Sequence, residues 1–389
     1  MTAMAQAGLI VGAYEHPIRS APDKSVAQLH AEAAAGALRD AGLTREDVDG
    51  YFCSGDAPGG VLSMANHLNL NLRYFDSLDV GGCSLIAQVA QAAAAIAMGK
   101  CNVALITQAG RPKAAGIRTG TKKIVKDDTA PDLPWELPCA VPNVANYALV
   151  AARHFHEFGT TSEQLAWVKV AASHHAQHNP HAVLRNVVTV EDVLASPLVS
   201  DPLHRLDCCL ITDGGGAIVL ARPEIAAKLN RPKIAIRGAG MALGHQESGA
   251  IDLTYSGARQ SGHDAFTAAG VTPADIKYAS IYDSFTITVV VQLEDLGFCE
   301  KGRGGAFVAD GNLIANVGRL PVNTDGGGLC NNHPANRGGI TRMVEAVRQL
   351  RGEANGPVQV PDCDLACVHG TGGHLATRHA SATLVLERL

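Results

Sequence analysis

The sequence predicts an α/β protein built from two halves that repeat one order of strands and helices. Three observations support this fold class. Short apolar runs alternate with segments of helical apolar spacing in residues 8–107. A stretch rich in proline and charged loops, from Gly110 to about Arg205, then interrupts the alternation. The alternation starts again at Ile234 and continues to the end of the chain, which favours a duplicated βαβαβαββ core.

The first half is predicted to span residues 1–227, with a loop domain inserted at about 110–205. Its strands are short apolar runs, and its helices carry apolar residues at helical spacing and end near a glycine. The strands are predicted at Gly8–Ala13, Val48–Cys53, Val103–Thr107 and Ala217–Ala221, and the helices at Val26–Leu38 and Leu85–Met98. The inserted loop domain is predicted to contain helices at Val144–Phe158 and Ser162–Gln177, and Pro223–Pro232 is interpreted as a linker.

The second half is predicted to span residues 228–389 and to repeat this order. A helix is predicted to close at Ala265–Ala269, and a glycine-rich loop is predicted at Asn323–Cys330. The strands are predicted at Ile234–Gly238, Tyr278–Tyr282, Leu365–His369 and Ala376–Val385, and the other helices at Phe285–Leu296 and Ile340–Leu350.

Composition excludes several classes of function. The chain has 389 residues, 47% of them hydrophobic and 18% charged, which is a globular balance. A net charge of -5 with mixed Lys and Arg gives no basic face for nucleic acid. Without an N-terminal signal sequence, the ten cysteines predict reduced thiols in a cytoplasmic enzyme. Adjacent Cys208 and Cys209 do not suit a zinc site, and no apolar run is long enough for a membrane helix.

Cys83 is the first candidate catalytic residue. It follows two glycines at the end of a strand-like segment and precedes an apolar helix. The unpaired N–H groups and positive dipole end of that helix favour thiolate, and the glycines allow close approach of a substrate. The alternative is a buried, inert cysteine.

Two glycine-rich segments supply the other candidates. Asn323-Thr324-Asp325-Gly326-Gly327 is followed by His333-Pro334, and a histidine there is placed to take a proton from an activated thiol. Cys367-Val368-His369-Gly370-Thr371-Gly372-Gly373 follows a strand, and successive glycine N–H groups in a turn can form an oxyanion nest. The alternatives are a capping or surface histidine and an ordinary hairpin turn.

Together these motifs resemble the thiolase superfamily over nearly the whole chain. Thiolases have a nucleophilic Cys, a later Asn-x-x-Gly-Gly-x5-His-Pro segment and a final glycine-rich loop, which match Cys83, Asn323–Pro334 and Cys367–Gly373. The subgroup of sterol-carrier-protein-type thiolases and lipid-transfer proteins is the most similar. Its motifs are matched by Glu157-Phe158-Gly159-Thr160-Thr161, His178-Asn179-Pro180, Asp207-Cys208-Cys209-Leu210, Asp213-Gly214-Gly215 and Tyr282-Asp283-Ser284-Phe285.

The resemblance implies αβαβα layers, a loop domain over the coenzyme A site, and at least a homodimer. It implies that Cys83, activated by His333, attacks a 3-oxoacyl-CoA, and that coenzyme A then takes the acyl group; the reverse is a Claisen condensation. Coenzyme A is a substrate here, and no tightly bound cofactor or metal is expected. Asn323, Gly327 and Gly370 are the expected oxyanion or substrate-binding residues. The basic run Arg111–Lys126 is interpreted as a solvated loop or a contact with coenzyme A phosphates.

Two departures from the family leave the reaction open. Tyr282 stands where thiolases carry Asn or His, and it either holds a water in the oxyanion hole or packs as an aromatic side chain. In the final segment Cys367 and His369 are both candidate acid/base residues, and the near-neutral reference pKa of histidine favours His369. The Gly81-Gly82 pair, and the lack of Ser-Gly after Cys83, also differ from the usual nucleophile motif.

Three hypotheses follow for the function. The first is a 3-oxoacyl-CoA thiolase or related acyltransferase of lipid metabolism. The second is a retro-aldolase on a steroid-type 3-hydroxyacyl-CoA that uses tyrosine and works with a small zinc-ribbon and OB-fold partner. The third is a non-catalytic protein that binds lipid or coenzyme A.

Overall fold

The computed structural model describes residues 8–55, 57–118, 142–245 and 250–389. In these ranges the strands are β1 Leu9–Glu15, β2 Gly50–Cys53, β3 Tyr74–Ser77, β4 Val103–Gly110, β5 Leu198–Ser200, β6 Leu203–His204, β7 Gly214–Ala221, β8 Ile234–Gly244, β9 Tyr278–Ile281, β10 Leu365–Gly373 and β11 His379–Arg388.

The helices that were predicted lie close to their predicted bounds, and four short helices were not predicted. They are α1 Val26–Ala41, α2 Gly60–His67, α3 Ser84–Ala97, α4 Asn143–Phe158, α5 Ser162–Ala176, α6 Val190–Ala195, α7 Pro223–Ala226, α8 Ala258–Ala269, α9 Thr286–Asp295, α10 Gly304–Val308 and α11 Gly339–Arg351. The predicted linker at residues 223–232 therefore contains the short helix α7.

The large sheet shows the duplication directly. Its order is β3-β2-β4-β7-β1-β8-β11-β10-β9, and Val322 adds one parallel bridge beyond β9, at Ala279. Within each half the strands are numbered 1 to 5 in chain order, with the Val322 bridge counted as strand 3 of the second half. The order is then 3-2-4-5-1 in the first half and 1-5-4-2-3 in the second, and the parallel and antiparallel pairs match. The two halves meet where β1 pairs with β8 at only two positions. The predicted duplicated α/β fold is confirmed.

The helices form layers around the two halves of the sheet. Helix α1 packs on the outer face of the first half, and α8 on the outer face of the second. Helices α3 and α11 contact each other and strands of both halves, so they form the central layer. One apolar cluster unites this layer with the inner faces of the sheet, and separate clusters fill the outer sides. The site residues lie at the end of this central layer.

The inserted helices belong to the core on the second half's outer side. Val150 of α4 and Leu165 of α5 are fully or almost fully buried in the same apolar cluster as Val290 of α9. Helix α5 packs against α9 and α10, and it also contacts the glycine-rich turn Gly327–Asn331. The insertion is therefore joined to the segment that precedes His333.

Candidate active site

Cys83 lies at the start of α3, where a 3₁₀ turn of residues Gly81–Cys83 joins the helix. Only 1% of Cys83 is exposed, and its Sγ lies 3.4 Å from the carbonyl oxygen of Val80. Burial raises the pKa of the Cys83 thiol to about 12, and a backbone hydrogen bond offsets only part of this rise. Burial therefore opposes formation of the thiolate that the helix start was expected to favour.

Gly370 of β10 faces Cys83 directly. A Cβ atom at Gly370 would lie 3.2 Å from the Cα and Cβ atoms of Cys83 and 2.7 Å from Cδ1 of Ile86. The absence of a side chain lets β10 and the first turn of α3 approach this closely. The contact buries the thiol and leaves no side chain of β10 opposite it.

Tyr282 follows β9 and packs beside the nucleophile. A Cβ atom at Gly82 would lie 2.5 Å from Cζ and 2.6 Å from the hydroxyl oxygen of Tyr282. That hydroxyl donates a hydrogen bond of 3.1 Å to the carbonyl oxygen of Ala335. The ring lies edge-to-face against His333, with centroids 5.3 Å apart. Tyr282 therefore connects the backbone next to Cys83 with His333.

His333 is a neutral imidazole with one free nitrogen. Its backbone N–H donates to Oγ1 of Thr212 at 2.9 Å, and within the described ranges its buried Nε2 has no hydrogen-bond partner. Burial, together with the nearby charge of Arg342, lowers the pKa of His333 to about 4. A buried, unpartnered imidazole nitrogen is able to accept a proton from a group brought next to it.

Asn323 and Gly327 are hydrogen-bonded to neighbouring residues. The Asn323 side chain accepts from the N–H of Ile281 at 2.9 Å and donates to its carbonyl at 2.8 Å, so both amide groups are occupied. The N–H of Gly327 donates to Asp325 at 3.0 Å, and a Cβ there would collide with the Asp283 carboxylate. In the free protein the Asn323 amide and the Gly327 N–H therefore pair with neighbouring residues, and their expected role in binding an oxyanion or substrate stays a prediction.

The final glycine-rich segment is part of a strand, not a turn. Residues Cys367–Gly373 all lie in β10 and pair with β11, so the expected nest of glycine N–H groups is absent there. Gly370 points toward Cys83, and strand alternation therefore directs Cys367 and His369 to the opposite face. Nδ1 of His369 lies 2.8 Å from Oγ1 of Thr383, on that outer face. The structure does not bring Cys367 or His369 together with Cys83.

Cys209 and Tyr147 belong to the site environment, although sequence reasoning did not select them. Burial raises the pKa of Tyr282 well above its ordinary value, and the Cys209 and Tyr147 groups raise it further, as does Cys83. The N–H of Cys209 donates to the carbonyl oxygen of Ser284 at 2.9 Å, next to Tyr282. The Asp207–Leu210 motif was the available signal, but it carried no indication of a catalytic role.

The described residues offer neither a metal site nor a membrane-spanning helix. They contain no group of three or more His, Cys, Asp or Glu side chains arranged to hold a metal ion. None of the helices in these ranges has the length and apolar character needed to cross a membrane. Of the basic run Arg111–Lys126, residues 119–126 lie outside the described residues.

Known proteins with similar sequences and folds agree on the family. A family model described as "Thiolase C-terminal domain-like" matches residues 240–388. The acetyl-CoA acetyltransferase of Methanothermobacter thermautotrophicus is 33% identical over 362 residues, covering 90% of this chain and 92% of the relative. The steroid side-chain-cleaving aldolase of Thermomonospora curvata is 35% identical over 342 residues, covering 85% and 86%. A solved structure, the Ltp2-ChsH2(DUF35) aldolase, matches with a TM-score of 0.89 and 32% identity, covering 100% of this chain and 99% of that chain.

Proposed function

The chain belongs to the thiolase superfamily, and on that premise we propose that it is an acyl-CoA C-acyltransferase acting through an acyl-Cys83 intermediate. One observation carries the proposal: the Cys83 thiol is buried at a helix start, beside the tyrosine ring that contacts the unpartnered imidazole of His333.

The proposed reaction begins with a neutral thiol and a neutral imidazole. As a 3-oxoacyl-CoA displaces water from the site, Nε2 of His333 takes the Cys83 proton and the sulfur attacks the 3-keto carbon. The bond between C2 and C3 breaks, and the departing enolate of the shorter acyl-CoA takes up a proton. The thiol of coenzyme A then loses its proton to the Tyr282 phenolate and attacks acyl-Cys83, and the departing Cys83 sulfur takes back the proton held by His333.

We assign the second proton transfer to Tyr282 rather than to His369 or Cys367. The side chains of His369 and Cys367 point to the outer face of the sheet, whereas the Tyr282 hydroxyl packs on Gly82, next to Cys83. A phenol with a raised pKa holds its proton firmly in the free enzyme and donates it only to a strong base such as an enolate.

Intact-protein mass spectrometry after exposure to a panel of acyl-CoAs tests the proposal. We expect wild-type protein to gain the mass of one acyl group and Cys83→Ala to gain none. Cys363→Ala is the matched control, because Cys363 is equally buried and burial also raises its pKa to about 12. The proposal fails if Cys83→Ala turns over acyl-CoA at the wild-type rate.

A second candidate function, retro-aldol cleavage of a 3-hydroxyacyl-CoA, is favoured by Tyr282. Its hydroxyl lies beside the nucleophile position, and the aldolase structure superposes on the whole chain with a TM-score of 0.89. In that reaction Tyr282 would serve as acid or base, and Cys83 would be dispensable. Loss of cleavage in Tyr282→Phe, together with full cleavage in Cys83→Ser, would assign the aldolase.

We also propose that a small zinc-ribbon and OB-fold protein assists the enzyme. The support is the similar solved structure, the Ltp2-ChsH2(DUF35) aldolase, which combines Ltp2 with a DUF35 component. Turnover should rise when the purified chain is mixed with such a protein, and equal turnover without it would contradict the proposal. The homodimer stays a prediction that light scattering tests.

A further inference from the structure

Helix α5 of the inserted segment lies along the backbone of residues 323–329, which leads to His333. Asn179, just beyond α5, donates from its side chain to the carbonyl oxygen of Asp325 at 2.9 Å. His175 bonds the carbonyl oxygen of Asn323 through Nδ1 at 3.2 Å and accepts from the N–H of Ala315 through Nε2 at 2.9 Å. A carbonyl only accepts and an N–H only donates, so His175 is held as the neutral Nδ1–H tautomer.

The contact between this helix and the segment is close along its length. Gly326 has a φ of 97°, and a Cβ atom there would lie 2.7 Å from Cβ of Ala176. Both the left-handed backbone and the missing space require glycine at this position. The helix surface therefore acts as a rigid support for the segment rather than as a loosely attached lid.

The third contact involves a fully buried cation. Lys169 is 1% exposed, and its Nζ donates to the carbonyl oxygen of Leu329 at 2.7 Å. The ammonium also faces the thiol of Cys330 and counteracts the rise that burial causes in the pKa of Cys330. Burial of an ammonium group costs free energy, and an apolar side chain would avoid that cost.

The two peptide groups that precede this carbonyl are bound by an acid. The Asp283 carboxylate accepts from the N–H of Gly328 at 2.8 Å and from the N–H of Leu329 at 3.2 Å. Leu329 thus donates its N–H to a carboxylate and receives at its carbonyl a charged donor. Hydrogen bonds with one charged partner are about twice as strong as neutral ones, so the peptide groups on both sides of the Leu329 Cα atom are held in place.

This clamped backbone touches the imidazole that the reaction needs. A Cβ atom at Gly328 would lie 2.9 Å from Cδ2 of His333 and 3.1 Å from Oδ1 of Asp283. The Gly328 backbone therefore packs against the His333 ring, and a shift of this peptide would move the ring.

We propose that Lys169 is a positioning residue: together with Asp283 it clamps the backbone on both sides of Leu329 and thereby sets the orientation of His333. The proposal deepens the proposed function, since it concerns the base of that same site. Lys169 acts through the Gly328–Leu329 backbone and does not touch the substrate.

The test combines hydrogen exchange with kinetics in Lys169→Met, which keeps the length of the side chain and removes its charge and donors. We expect amide exchange of the peptide covering residues 326–333 to rise at least tenfold. We expect kcat to fall about 10- to 100-fold, while KM changes less than threefold. Val168→Ala is the control, because Val168 lies next in sequence on the same helix and is also buried, in the apolar cluster.

The outcomes separate the clamp from the proposed reaction. Faster exchange in Lys169→Met but not in Val168→Ala supports the clamp even if the wild-type enzyme forms no acyl-Cys83. Unchanged exchange, or an equal increase in the control, overturns it even if the wild-type enzyme is acylated. Should Lys169→Met not fold, Lys169→Gln replaces it, because glutamine is shorter and uncharged but retains an N–H donor. We expect its amide exchange over residues 326–333 to rise by less than the tenfold increase expected for Lys169→Met. No rise above wild type would refute the clamp.

Discussion

Gly370→Ala gives the sharpest test of how β10 shapes the nucleophile. The new methyl group would lie 3.2 Å from Cα and Cβ of Cys83, a few tenths of an ångström closer than ordinary contact. Ile86 can rotate its Cδ1 away, but the Cys83 backbone is fixed by α3. Overpacking of this kind costs about 1–3 kcal/mol. The less flexible unfolded chain returns about 0.4–1 kcal/mol. We expect a net loss of about 1–2 kcal/mol in the free energy of unfolding.

The assay pairs urea denaturation with the rate of Cys83 acylation by acyl-CoA. We expect that rate to fall about tenfold, because misplacement of a reacting atom by less than 1 Å has effects of this order. Gly356→Ala is the matched control, since a Cβ atom at Gly356 would meet nothing within 4 Å. Wild-type stability together with wild-type acylation in Gly370→Ala would refute the close contact.

Three further predictions concern charge and protonation. Arg342→Met removes the buried partner of Asp325, 2.9 Å away, and should lower the free energy of unfolding by about 3–5 kcal/mol. Arg222→Met breaks an exposed pair and should have a much smaller effect, so equal losses in urea denaturation would contradict this prediction. Burial lowers the pKa of four histidines to about 3 or 4: His175, His333, His369 and His379. The unfolded chain therefore binds more protons at these groups than the folded protein does. The free energy of unfolding should fall as pH drops from about 6.5 to about 4, by more than about 1 kcal/mol per pH unit. Buried carboxyl groups with raised pKa values reduce this slope. A urea midpoint that does not change over this range would argue against the buried neutral histidines. Alkylation of Cys83 by iodoacetamide should be slow at pH 7 and still rising at pH 10, since its pKa is about 12, and a plateau near pH 8 would show an activated thiolate.

Much of the fold was predictable because secondary structure follows local patterns. Apolar spacing and a glycine stop predicted α1, and Gly42 does end it in the left-handed conformation, with a φ of 72°. The two halves were predicted from their common order of elements, and the mirrored order of the sheet confirms them. The strand β10 was predicted too short, because glycines that indicate a turn in isolation become part of a strand when β11 pairs along all of them.

For the candidate site, the sequence supplied candidate residues but not their geometry. The motifs indicated Cys83, Tyr282 and His333 as candidates, and the structure places Tyr282 against both His333 and Gly82. They did not indicate that His369 points away, because the face of a side chain depends on the position of its strand relative to distant helices. Nor did they indicate that the Asn323 amide is already paired with Ile281.

The sequence by itself determined the order of elements, the duplication and the chemical groups available for catalysis, since these depend on residues near one another in the chain. Only the tertiary structure decided how far burial shifts the pKa values of those groups. Burial raises the pKa of the Cys83 thiol and lowers that of the His333 imidazole, and Gly370, from the other half of the chain, packs directly on Cys83. Desolvation is the sum of contacts between residues far apart in sequence, so no local motif contains it.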